Sequence, residues 1–493
     1  MEIRLLSSRL NIYQRSLVIS NKIEFGLAQT KAGPKLAVLT PPGSKVIETF
    51  EGETSELRDH FLVLCSLNPH NALSLRNQLS WLKPRLIGLR TSVGMGDRLG
   101  IATPGHVRAV RAFQGKIAPI FAQQSIHEMT RTGRSPQTVM DDAMWGIFEE
   151  GWQGGVGSDA DHLKTIADID ACITAGFTLF TIDPGEFVNN FVQKIDNNQL
   201  IEQRELMPEY LQPKATGLLG KSFYFEGHKL FIDEAAMLRA IAKYGKAIVH
   251  VVNMYKHLKQ VADKQPFEVE ISMDETEQPT SPLEHVYIAS ELRRLGVKWV
   301  SFAPRFVGRF EKGVDYIGDL REFEDNLAVH AEIARQFGPY KLSLHSGSDK
   351  FSIYPMFIEK TRGMAHLKTA GTSYLEALRT IAALDGEFLK EIYIFARKHF
   401  ETDKESYLIS AQINNAPKPN EIKDWPGLLD QFNAREILHV TFGSVLTEKT
   451  GDGNSRFYDR LMSVLSANRE MYFDNLASHF RHHLQPFSYI RDV

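Results

Sequence analysis

Three histidines of this 493-residue chain, His162, His345 and His366, lie at or just beyond the ends of short apolar runs that read as strands. Carboxylates stand beside them. Neutral imidazole together with carboxylate is a donor set suited to Zn, Mn, Co, Ni or Fe rather than to Mg or Ca. The run FEVEISMDE (267–275) alternates strictly. Successive strand side chains point to opposite faces, so Glu268, Glu270, Ser272 and Asp274 share one face, and Phe267, Val269, Ile271 and Met273 share the other. The apolar face must meet helices, which turns the carboxylates inward, where a charge is costly unless paired or bound to a cation. Glu268 has a structural alternative, pairing with a basic neighbour such as Arg90. In YKLSLHSG (340–347), Leu342 and Leu344 go outward and Ser343, His345 and Gly347 inward. In GMAHLKTAG (363–371), His366 and Lys368 share a face. QGGVGSDAD (153–161) runs directly into His162. Asp161 and His162 are adjacent, so an ideal strand would aim them oppositely. Both can serve one site only if the strand ends there and one is re-aimed.

Basic residues follow the same runs: Arg305, Arg309 and Lys312 after the sixth, Lys350 after the seventh, Lys368 on the eighth. Cations converging on one mouth suit an anionic substrate. Arg305, Lys350 and Lys368 are the candidates for holding its carboxylate. The glycines of Gly94-Met95-Gly96-Asp97-Arg98-Leu99-Gly100 miss the G-x-G-x-x-G spacing, and no HExxH, Walker loop or nucleophile elbow occurs.

Eight short apolar runs must position these groups: 85–92, 116–124, 153–161, 177–184, 267–275, 297–305, 340–347 and 363–371. Amphipathic helical stretches separate them, the pattern of parallel βαβ units. Polar residues recur at the C-terminal ends of many of these strands, whereas an open doubly wound sheet concentrates its site at one switch point. The expected fold is therefore α/β, a (β/α)8 TIM-like barrel with N-terminal and C-terminal elaborations. The expected division is residues 1–84 as an N-terminal cap, 85–400 as the catalytic barrel, and 401–493 as an extension packed on it. An insertion spans roughly 185–230 and holds Lys221, Tyr224 and the turn Glu226-Gly227. Near the end, REILHVTFGSVLT (435–447) reads as a strand, and one long helix follows from Arg456. On that helix His479, His482 and His483 read as a solvated end.

Composition excludes several classes. With 57 basic and 60 acidic residues the net charge is −3, which offers no global field for nucleic acid or an anionic membrane. Cys65 and Cys172 sit in apolar runs and read as reduced core thiols. No apolar run is long enough to span a bilayer, and the first residues do not read as a signal peptide. A cytoplasmic enzyme acting on a small molecule is expected, with room left for a homo-oligomer.

The segments SDADHLKT (158–165), FAPRFVGRFEKGVDYIGD (302–319), LSLHSGSDKFSIYP (342–355), HLKTAGTSYLEALR (366–379) and LHVTFGSVLT (438–447) resemble those of the tagaturonate/fructuronate epimerases. The resemblance runs from about residue 85 to the C-terminus. It implies a metal-dependent epimerase of bacterial hexuronate catabolism that interconverts D-tagaturonate and D-fructuronate. Carried over residue by residue, it implies His162, His345 and His366 as ligands of a divalent cation, and Asp161 and Glu270 as the acid/base pair.

The two uronates differ at a carbon β to the ketone, whose proton is not acidic. Retro-aldol cleavage and re-addition is the expected route, with transient oxidation by a nicotinamide as its rival. Another metal-dependent sugar or sugar-acid isomerase or aldolase would use the same ligands, and a sugar-acid binding protein is the non-catalytic alternative.

Overall fold

A computed structural model describes residues 4–7, 10–57, 59–113, 115–192, 195–196, 199–200, 202, 209 and 212–488. Its centre is a closed barrel of eight parallel strands: β1 (Ser92–Met95), β2 (Ala118–Ser125), β3 (Gly157–Leu163), β4 (Leu179–Ile182), β5 (Glu268–Ser272), β6 (Ser301–Ala303), β7 (Lys341–Leu344) and β8 (Ala365–Thr369). Neighbours follow chain order, and β8 bonds back to β1 with His366 opposite Ser92. Period-two alternation sorts each strand into two layers. Val93, Val269, Ile271, Leu342, Leu344 and Leu367 are buried in the continuous core shared with the helices. Their alternates, among them Ser92, Glu270, Ser343, His366 and Lys368, are buried and polar.

Helices begin where the sequence supplies caps. Thr165 and Asp168 form a capping box at Ile166–Ala175, Ser281 and Glu284 another at Pro282–Arg294, and the Asp319 carboxylate accepts from the first turn of Leu320–Phe337. Seven strands overlap their expected ranges broadly; the first shares only Ser92 with its range. Residues 85–91 are not strand, and β1 starts at Ser92. The apolar residues that suggested a strand close the bottom of the barrel instead. Ile87 packs with Ala118, Ile120 and Leu179. The Glu268 carboxylate accepts from the Ile87 and Gly88 backbone N–H groups at 2.9 and 2.6 Å. So Glu268 has a structural role, through backbone amides rather than Arg90, whose guanidinium donates to the Gly115 carbonyl.

Before the barrel, the strands Ile23–Thr30, Gly33–Thr40, Gly52–Leu57 and His60–Cys65 form an antiparallel sheet with shorter strands at its edge. The helix Pro69–Gln78 ties it to the barrel, with Arg76 2.6 Å from Asp141 in a buried ion pair. Within the insertion, Ser222–Phe225 and His228–Phe231 form a hairpin whose turn residues Glu226 and Gly227 both have positive φ, as a type I′ turn requires. Much of 193–211 lies outside the described residues. Cys65 and Cys172 are buried and unbonded, and burial pushes both thiols up to about 12.

The C-terminal part departs from expectation twice. Residues 435–447 are helical, within Phe432–Val440 and Phe442–Thr447. Their β-branched residues favour strand locally, but Ile437, Val440 and Val445 are fully buried, so tertiary packing decides. The last helical stretch breaks at Asn468 into Tyr458–Ala467 and Arg469–Phe487. The second of these lies so close to Thr103–Arg111 that a Cβ on Gly105 would sit 2.7 Å from that of Leu476. His479 and His483 are not a solvated end. His483 is fully buried, His479 Nε2 lies 2.6 Å from Asp349, and only His482 is exposed. Among the described residues no helix is long and apolar enough to cross a membrane.

Candidate active site and metal centre

The C-terminal ends of the strands open into a cleft of ≈ 1090 Å³, large enough for a six-carbon acid, at the face where barrel sites form. Asp161, His162, Asp274, Arg305, His345 and Lys368 line it. The conflict between Asp161 and His162 is resolved by the backbone. Phe180 of β4 pairs with Ala160, but Ile182 pairs with Leu163, so β3 carries one extra residue there. His162 takes φ 52. Such a bulge re-aims side chains, and both residues face the cleft. The Asp161 carboxylate accepts from His162 Nδ1 at 2.8 Å and from Gln123 Nε2 at 3.0 Å.

Lys368 occupies the floor. Its ammonium is 2.8 Å from Asp159, 2.7 Å from Asp161, 2.7 Å from Glu270, and donates to Thr181 Oγ1 at 2.7 Å. All are buried. Burial alone would raise the acids, but cations win. His162 and Lys368 hold Asp161 well below the usual carboxylate range, and Lys368 and His345 do the same for Glu270. The Lys368 ammonium is held charged against its burial by Asp159, Asp161 and Glu270.

His345 bridges this floor to the rim. Its Nε2 is 2.6 Å from Glu270 Oε1, its Nδ1 is 3.1 Å from Asp274, and His162 Nε2 is 3.6 Å from the same Asp274 oxygen. Burial lowers both imidazoles, yet Asp274 lifts His345 to about 9 and Asp161 lifts His162 well above its ordinary value. Acids therefore outnumber fixed cations here, and protons on the histidines make up the difference. A divalent cation would do the same. The donor set fits one: Asp161, His162 and His345 each offer an atom within 4.8 Å of the others. His345 Nδ1 and His162 Nε2 are buried without a hydrogen-bond partner. The group Asp349, His479 and His483 fits a metal less well. His483 Nε2 already accepts from the Asp349 backbone N–H at 2.9 Å, and Arg435 lies 3.0 Å from the Asp349 carboxylate.

Of the expected site residues, Asp161, His162, Glu270 and His345 come together with Lys368. His366 does not join the other histidines. It sits level with Ser343, one inward position deeper than His345, with Nδ1 2.9 Å from Ser92 Oγ and Nε2 3.8 Å from Asp159. Arg305 lines the cleft, and its buried Nε has no partner. Lys350 is turned away from it. Its ammonium is fully buried and donates to the Glu311, Val314 and Ser348 carbonyls, which pins the loops after β6 and β7 together. Lys368 reaches the cleft, but three carboxylates already neutralise it. Thr181 and Asp159 had not been singled out. Strand parity was the available signal, since Phe180 and Ile182 point to the core and leave Thr181 facing inward.

A parallel (β/α)8 barrel with a buried acid, base and imidazole cluster at its C-terminal mouth defines a barrel enzyme equipped for proton transfer. A sequence profile described as tagaturonate epimerase (UxaE) matches residues 13–487. The tagaturonate/fructuronate epimerase of Thermotoga maritima is 42% identical over 478 residues, 96% of each chain. Crystal structures of the fructuronate-tagaturonate epimerase UxaE from Cohnella laeviribosi superpose over 98% of both chains. The one with one glycerol bound has a TM-score of 0.92 at 36% identity, and the native one 0.91 at 37%. The chain belongs to the tagaturonate epimerase family and is an isomerase.

Proposed function

We propose that this enzyme interconverts D-tagaturonate and D-fructuronate by breaking and remaking a carbon–carbon bond, with a divalent cation at its mouth. Family membership over nearly the whole chain supports the substrates. The observation that carries the chemistry is two acid/base groups, Asp161 and Glu270, joined by one ammonium at the floor of the cleft.

Inversion at a carbon β to the ketone needs no C–H acid if the bond on the ketone side of that carbon breaks. Asp161 takes the proton of the hydroxyl on the inverting carbon. The alkoxide collapses to an aldehyde, and the bonding pair passes to the ketone fragment as an enediolate. The three-carbon aldehyde acid turns its other face, the bond re-forms, and the new alkoxide takes a proton by way of Glu270, the proton Asp161 took having passed through the Lys368 ammonium that touches both carboxylates, so the site ends as it began. Two groups are needed because the oxygen leaves on one face and returns on the other. Glu270 Oε1 is held by His345, Lys368 and Thr181, while Oε2 is buried without a partner, and we assign the transferred proton to Oε2. His162 and His345, with Asp274 or Asp161, would hold the cation, which as a Lewis acid would favour negative charge on the ketone fragment's oxygens. Arg305 is the proposed contact for the substrate at the rim. A cytoplasmic enzyme of hexuronate catabolism is consistent with this reading.

The test is to add D-tagaturonate to metal-supplemented and to chelated protein and follow D-fructuronate by NMR. Conversion that depends on metal is expected, and no conversion under either condition would remove the proposal. Carbon-13 dihydroxyacetone present during turnover should enter the product. Its complete exclusion, with no fragment trapped by borohydride, would remove the bond-breaking route.

A further inference from the structure

Most cations that line the cleft are already matched by acids. Arg98 lies 2.6 Å from Glu128, Lys164 is 3.5 Å from Asp183 and 3.8 Å from Glu275, Arg309 is 3.4 Å from Glu311, and Lys368 touches three carboxylates. Two are different: Arg305, whose buried Nε has no partner, and Lys312. The Lys312 ammonium donates to Ser346 Oγ at 2.7 Å, and no carboxylate of the described residues lies within 4 Å of it. The neighbouring acid, Glu311, is engaged elsewhere, accepting from the backbone and hydroxyl of Ser410. A half-buried cation left without a counter-ion on a cleft wall is a poor stabiliser and a good receptor for an anion.

Its partner is held in place at a cost. Ser346 follows His345 directly and adopts φ 49, a left-handed conformation that non-glycine residues rarely take. The next residue fixes it: Gly347 N–H donates to the Lys368 carbonyl at 3.0 Å. Lys350 ties the same loop to the loop carrying Lys312. Strain kept this way is characteristic of functional positions. It sets the Lys312 ammonium on the residue that follows His345, in the cleft that Asp161 and Lys368 also line.

The substrate chemistry requires an anion receptor at that place. In a hexuronate the carboxylate carbon stands two bonds from the inverting carbon, about 2.5 Å away. A cation that holds it must lie beside the reacting centre, and the fragment that must turn over after cleavage is the one bearing the carboxylate. Lys350 is buried elsewhere, Lys368 is neutralised, and Arg305 serves the rim, while Lys312 is tied through Ser346 to the residue that follows His345.

We infer that Lys312, presented by Ser346, binds the substrate carboxylate and is the residue that selects a sugar acid over the neutral ketose. This rests on the hexuronate reading above, so its test includes a measurement independent of turnover. D-Gluconate, a six-carbon acid that cannot be cleaved this way, is titrated calorimetrically into wild-type, K312M, K312R and S346A protein, with sorbitol as the uncharged control. K312M should weaken gluconate about ten- to hundredfold, the worth of one charge-assisted hydrogen bond, and leave sorbitol unchanged. K312R should retain most of the affinity, and S346A should lose several-fold. With substrates, the ratio of kcat/KM for D-tagaturonate to that for D-tagatose should fall in K312M by the same factor, mainly through KM. Unchanged gluconate affinity and an unchanged ratio in K312M would overturn the inference while leaving the epimerase reading intact. Lys312-dependent gluconate binding by a protein that fails to convert tagaturonate would uphold the site and refute the activity.

Discussion

Replacing Lys368 by methionine removes the one ammonium that three buried carboxylates share. The contacts are 2.8 Å to Asp159 and 2.7 Å to Asp161 and Glu270, and all four side chains are nearly inaccessible. At an effective dielectric constant of about 20, each pair attracts by roughly 6 kcal/mol, most of which compensates the desolvation of the charges. The observable is the cost of leaving buried acids without their cation, about 3–5 kcal/mol for removal of one member of a buried pair. The acids have an escape, because they can take up protons. In the wild-type protein Lys368, with His162 and His345, holds Asp161 and Glu270 well below the usual range. Their contribution is present above the unfolded value of about 4 and is lost as pH falls through the folded one. In K368M Glu270 loses the cation that lowers it most, and burial then lifts its folded value above the unfolded one, so its contribution is lost as pH rises instead. The stability gap between the two proteins should therefore widen from pH 5 to pH 8, toward about 3–5 kcal/mol. Urea unfolding of both proteins in chelator, at matched ionic strength and half-unit pH steps, measures it. A gap below about 1 kcal/mol, or one that does not change with pH, would refute the shared-ammonium argument.

Three further outcomes are expected. E270Q should lower turnover about 10²- to 10⁴-fold and leave the bound metal near wild-type content by mass spectrometry, because His162 and His345 remain; activity within a few-fold of wild type would end the acid/base role of Glu270. H162A and H345A should each lose metal, whereas H366A, altered one layer deeper beside Ser92 and Asp159, should keep it; metal lost from H366A but kept by H345A would reverse the ligand assignment. E436Q should become more stable than wild type as pH rises. Burial and the neighbouring Glu311 push the Glu436 carboxyl up to about 8, so its favourable protonated state is fully present below the unfolded value and lost as pH climbs through the folded one. The difference should grow by up to about 1.4 kcal/mol per pH unit between roughly pH 5 and 8 in thermal or urea unfolding, and a flat difference would contradict it.

The face a side chain takes was legible because a strand has a period of two; the depth it reaches was not. Parity alone places Glu270, His345, His366 and Lys368 on the inner layer, and the fold agrees. Parity says nothing about which of them share a level. That follows from the stagger between neighbouring strands, which pairs Ser343 with His366 and carries His345 past the end of β7. The extra residue in β3 lay hidden for a related reason: a bulge changes the count on one strand only, and it becomes visible only against its partner. Loops carry no period at all, so Lys312 and Lys350 were equivalent in sequence although one faces the cleft and the other holds two loops together. Burial misled in a different way. Ile87 and Val440 are apolar because one closes the barrel floor and the other packs a helix, and both imitate strands to a reader of local pattern. The chemistry thus rests on the least legible quantities, level and loop direction. Lys368 meets Asp161 and Glu270 from a different strand only because the barrel's stagger brings those three levels together.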